Sequence, residues 1–118
     1  MEEQRDPRFK CDLACNIGYS GRSYPGQVKD ISLGGCMVET ETLPQSASEV
    51  ALAISTADTF CRVRVAIVHK LYVFKPSDPK KPVLQFGSKV LDVDEGFVNL
   101  VLHHDVRARD ETKVDTRL

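Results

Sequence analysis

With 118 residues, 42% of them hydrophobic and 28% charged, the chain has the composition of a globular domain and no room for two. Its net charge of −1 excludes the uniformly basic surface that drives non-specific nucleic-acid binding, although a local basic cluster is compatible with that average. No apolar run reaches the roughly 20 residues that span a bilayer, and the charged start MEEQRDPRFK lacks the apolar core of a signal peptide. The expected setting is therefore cytoplasmic, without membrane insertion and without a nucleic-acid partner.

A domain of this size buries roughly two-thirds of the surface its unfolded chain exposes, enough for a core without staples. The four cysteines, Cys11, Cys15, Cys36 and Cys61, form no C-x-x-C pair, and no histidine stands at zinc-finger spacing from them. They read as reduced, buried thiols, and no metal site is expected.

In chain order, residues 1–10 are polar and interrupted by Pro7, and read as a flexible arm. Leu13, Cys15, Ile17 and Tyr19 alternate with Ala14, Asn16 and Gly18, the period of a strand. A turn at 20–23 leads to a second strand over 24–29, with Pro25 at its edge. Asp30 to Gly35 is a polar loop, and a short strand covers 36–40. After a loop at 44–48, a strand is predicted over 49–55, a hairpin turn at 56–59, and a long strand over 60–74. Within that strand Val63, Val65 and Ile67 share one face with His69, which reads as a core or rim histidine, while Arg62 and Arg64 point the other way. The segment 75–81, with two prolines and three lysines, is predicted as an exposed hairpin loop. The last strand spans 83–93, its Gly87 marking a bulge or bend. Phe97, Leu100, Val101 and His104 then follow helical spacing, with Asp94 as N-cap. Residues 105–118 are a charged tail that either extends the helix or stays disordered. Six or seven antiparallel strands followed by one α-helix predict a mainly β barrel, with the barrel and helix over 11–104.

Two segments carry the functional signal. Gln4-Arg5-Asp6-Pro7-Arg8 lies in the arm, and Asp30-Ile31-Ser32-Leu33-Gly34-Gly35 joins two strands. In order and separation they resemble the R-x-x-x-R and (D/N)-x-S-x-x-G signature of the PilZ domain family. The run Leu84 to Asp92 looks like that family's closing strand, and the C-terminal helix is also usual there, so the resemblance covers nearly all of residues 3–104. The D-x-S-x-x-G pattern is intact. The arginine pattern departs: Gln4 stands four positions before Arg8, where an arginine belongs, and Arg5 lies one position later.

The resemblance implies a receptor for cyclic di-GMP, with Gln4, Arg5, Arg8, Asp30, Ser32, Gly34 and Gly35 at the ligand, no other cofactor and no catalytic residues. The chemistry of those residue types is compatible with it. Guanine O6 and N7 and the phosphates suit the planar fork of arginine. The guanine N1–H and N2–H₂ edge needs an acceptor such as the Asp30 carboxylate, Ser32 brings a hydroxyl, and Gly34 and Gly35 permit close backbone approach or positive φ. Loss of one charged hydrogen bond, worth about 1.5–3 kcal/mol, weakens binding roughly 10- to 100-fold. The expected function is a receptor whose arm orders on binding and signals to a protein partner. The alternative is a degenerate domain that binds no cyclic di-GMP and acts as a protein–protein adapter. No nucleophile with a paired base, no P-loop and no Ser-His-Asp grouping supports an enzyme, and the adjacent His103 and His104 face different ways on a helix.

Overall fold

The two-residue alternation of apolar side chains is what closes this chain on itself. The computed structural model describes residues 7–115, and the side-chain surroundings of residues 7–107. It comprises β1 (Phe9–Tyr19), β2 (Arg22–Ile31), β3 (Gly35–Thr40), β4 (Glu49–Ser55), β5 (Phe60–Lys75), β6 (Asp78–Val93) and α1 (Glu95–Asp115). The strands form a closed barrel in the order β1-β2-β3-β6-β5-β4, antiparallel throughout. Closure leaves most strands without an open edge. The lumen is filled by alternate residues of every strand, among them Ile17, Val28, Val38, Leu52, Val65 and Phe86, all at 0% exposure. It is a packed core, so anything the domain binds must lie on its outer surface.

Helix α1 is fastened at its start. The Asp94 Oδ1 accepts the Phe97 N–H at 3.0 Å, and its Oδ2 accepts the Arg62 N–H of β5 at 2.9 Å. One carboxylate thus caps the helix and ties it to the barrel. Phe97, Leu100 and Val101 are buried, as the helical spacing predicts. Gly96 is required by close approach, since a Cβ there would lie 2.8 Å from the Cys61 Cβ. The helix continues through Asp115, so most of the charged segment extends it.

The structure corrects several sequence readings. Strand β2 begins at Arg22, so Pro25 lies inside it, opposite Asn16 of β1; β3 pairs with β2 only from Gln27 onward, so the other side of Pro25 carries no ladder, and its carbonyl accepts the Thr40 hydroxyl at 2.8 Å. Segment 75–81 is not a loop. Strand β6 already begins at Asp78, and only Pro76 and Ser77 turn. Its prolines are tolerated because β3 pairs with β6 only from Leu84 onward, leaving the outer side of residues 78–83 without a ladder. The bulge expected at Gly87 sits on the facing strand, at Val68, where Ile67 pairs with Ser88 but His69 with Gly87. That extra residue flips the parity of β5. His69 therefore leaves the core face and is exposed on the outside. Phe9 and Lys10, placed in the arm by the sequence, already pair with Ile31 and Asp30 as the start of β1.

Candidate functional site

The D-x-S-x-x-G segment builds its own turn between β2 and β3. Ser32 is buried, its backbone N–H donates to the Gly35 carbonyl at 2.8 Å, and its hydroxyl both donates to that carbonyl and accepts the Gly35 N–H, each at 3.1 Å. This hydroxyl shapes the loop and does not face solvent. Gly34 is exposed, and its carbonyl accepts the Val90 N–H at 2.9 Å. Gly35 opens β3 where a Cβ would collide with the Ser88 carbonyl oxygen. Close backbone approach, not positive φ, is the reason for glycine here: among the described residues only Ser20 and Gly21 have positive φ.

Asp30 faces outward beside that turn. A bulge at Lys29 interrupts the β2–β3 ladder between Val28 and Asp30, and the Met37 N–H donates to Asp30 Oδ1 at 3.1 Å. Arg8, 22 residues earlier, donates from Nη1 to the same oxygen at 2.7 Å. The Arg8 side chain is 50% exposed and that of Asp30 22%. Both bonds fall on Oδ1, so Oδ2 has no hydrogen-bond partner among the described residues. Arg8, Asp30 and the Ser32–Gly35 turn therefore form one surface, whereas Gln4 and Arg5 lie outside the described residues.

Sequence reasoning missed what surrounds this surface. Asp30 pairs with Lys10 on one side and Met37 on the other, Met37 pairs with Gly87, and Gly87 with His69. Directly paired residues project to the same face, so these five form one transverse row on the barrel exterior. Three register shifts set that row, between Lys10 and Leu13 in β1, at Lys29 in β2 and at Val68 in β5, and none is visible as a residue pattern. Away from it, a cleft of about 610 Å³ runs between the far ends of β2 and β3 and the β5–β6 hairpin, lined by Gln27, Glu39, Thr42, Lys75 and Lys81 among others. Its buried carboxylate is internally satisfied: Glu39 accepts Lys75 Nζ at 2.7 Å and Gln85 Nε2 at 2.8 Å. Burial pushes the Glu39 carboxyl up, but the Lys75 and Gln85 hydrogen bonds outweigh it and hold its pKa below the ordinary value.

The thiols are chemically quiet. Burial, reinforced by Asp30, Cys36 and Asp12, pushes Cys11 up to about 12. Burial and Cys36 push Cys15 to about 12. Burial is also the main cause that takes Cys36 and Cys61 to about 11, with the Ser88 hydrogen bond opposing it at Cys36. All four are free, and at neutral pH such thiols carry almost no thiolate. Among the described residues no group of histidine, cysteine and carboxylate side chains is placed to hold a metal, and no helix is long and apolar enough to cross a membrane.

The barrel has known relatives in shape. The PilZ domain with c-di-GMP of YcgR from Escherichia coli superposes with a TM-score of 0.68 at 12% identity, over 95% of this chain and 98% of that one. MrkH of K. pneumonia superposes with a TM-score of 0.70 both in its c-di-GMP complex (18% identity) and in its apo state (17%), over 94% of this chain and 56% of MrkH. Identities this low establish the fold, and the chain spans little more than half of MrkH. A comparison with curated proteins gives no match. The PilZ domain model matches residues 2–104, the arm, the barrel and the first turns of α1 together. The chain belongs to the PilZ domain family.

Proposed function

We propose that this domain is a cyclic di-GMP receptor whose arm closes over the ligand and whose altered surface is read by a protein partner. The observation that carries the reading is the meeting of Arg8 and Asp30 across 22 residues at 2.7 Å, beside the Ser32–Gly35 turn. A half-exposed planar five-donor fork and a carboxylate whose Oδ2 has no hydrogen-bond partner among the described residues form a complementary pair for a guanine: the guanidinium for O6, N7 or phosphate, Asp30 Oδ2 for the N1–H and N2–H₂ edge. That YcgR and MrkH have solved structures with c-di-GMP supports the choice of ligand. In this reading a ligand that engages both Arg8 and Asp30 draws the arm onto the barrel, an ordering switch of the kind that signalling domains use. The reading assigns the domain to the cytoplasm and gives it no catalytic step.

Isothermal titration with cyclic di-GMP tests it. The wild-type protein is expected to bind with a micromolar Kd, Arg8→Ala to abolish binding and Asp30→Ala to weaken it at least 10-fold. Unchanged affinity for Arg8→Ala would refute the site. The substitution of Gln4 for an arginine favours the second reading, an adapter that binds no nucleotide. No heat at hundred-micromolar ligand would select that reading.

A further inference from the structure

The outer row that begins at Lys10 and Asp30 does not stop at β3. It continues through Met37 and Gly87 to His69. From Asp30 to His69 is three interstrand steps, about 14 Å, but the histidine side chain shortens that gap. The place where a Cβ on Gly87 would stand is occupied by the His69 ring, with its Cε1 nearest and Nε2 and Nδ1 behind, at 2.6 and 2.9 Å from that position. The imidazole therefore lies across Gly87, leaning over β6 toward Met37 and the motif. Gly87 is buried beneath it while His69 itself is exposed. Three features coincide: a bulge that turns the histidine outward, a glycine that lets its ring lie over the strand, and a register that aims it along the row of Asp30. Lys89, exposed and paired with Gly35 on the same face of β6, adds a cation beside the motif turn.

A cyclic dinucleotide has two bases on opposite sides of its sugar–phosphate ring, and Asp30 can hold the edge of only one. We infer that His69 is the second wall of this ligand surface, a stacking partner for the purine that does not reach Asp30. The inference rests on the cyclic di-GMP reading of the same site. Aromatic faces suit this task because every base has a π-face, and one stacked base is worth enough to change affinity about 10-fold.

The test is titration of the full chain with cyclic di-GMP, paired with NMR of the complex. His69→Ala is expected to weaken binding about 10-fold, and His69→Phe to keep it within about threefold of wild type. Gly87→Ala, which displaces only the far end of a flexible side chain, is expected to weaken wild type but to add nothing on the His69→Ala background. A nuclear Overhauser contact between a guanine H8 and the His69 ring protons is expected in the complex. Affinity within twofold for His69→Ala, with Arg8→Ala still inactive and no such contact, would overturn the inference and leave the receptor reading standing. Absence of binding by the wild-type protein would overturn both.

Discussion

Ser32 and Arg8, both read from the sequence as ligand residues, lie in different surroundings, one buried and one half-exposed. The Arg8–Asp30 pair is exposed, and such pairs contribute about 0–1 kcal/mol. Arg8→Ala is therefore expected to leave the urea midpoint almost unchanged while removing nucleotide binding, a separation that distinguishes recognition from folding. Ser32 is the converse. It is 3% exposed and shares two hydroxyl hydrogen bonds with Gly35. Ser32→Ala leaves the buried Gly35 N–H without that acceptor and is expected to cost about 1–3 kcal/mol, read as a lowered urea midpoint without ligand. Gly35→Ala forces a methyl against the Ser88 carbonyl and should cost a similar amount. The motif's residue types were legible in the sequence; their division of labour was not, because it depends on which atoms the turn buries.

At the level of elements, alternation and helical spacing located all six strands and the helix. What they could not locate were the bulges at Lys29 and Val68, each a single extra residue with no compositional mark. The Val68 bulge is why His69, in phase with Val63, Val65 and Ile67 in the sequence, ends on the opposite face. Chain ends of strands were also misjudged where proline and lysine suggested a loop over 75–81: a two-stranded ribbon beyond the barrel has an unladdered side, so it accepts both residue types. The N-cap assignment at Asp94 was readable, but its second bond, to the Arg62 N–H, was not. That bond makes Asp94→Ala more damaging than loss of a cap alone, about 1–2 kcal/mol. Hydrogen exchange is expected to accelerate both in the first turn of α1 and at the Arg62 amide; acceleration confined to the helix would contradict the shared anchor.

For the molecule as a whole, the buried thiols make stability sensitive to alkali. Folding raises Cys15 from an ordinary value near 9 to about 12, so between those values the unfolded chain binds fewer protons than the folded one. The contribution is fully present below about pH 9 and is lost as pH rises toward 12. Denaturation midpoints are expected to fall across that window, less steeply for Cys15→Ala, and a disulfide-exchange reagent at pH 8 should label the native thiols slowly and the urea-unfolded ones at once. The closed barrel has a consequence of another kind. Residues that fill the lumen and residues that make up the Lys10–His69 row alternate along the same strands, like two texts printed on the two sides of one ribbon. The outer text can be rewritten while the inner one still dictates the same shape, so a barrel of this plan can change or lose a ligand surface and keep its architecture.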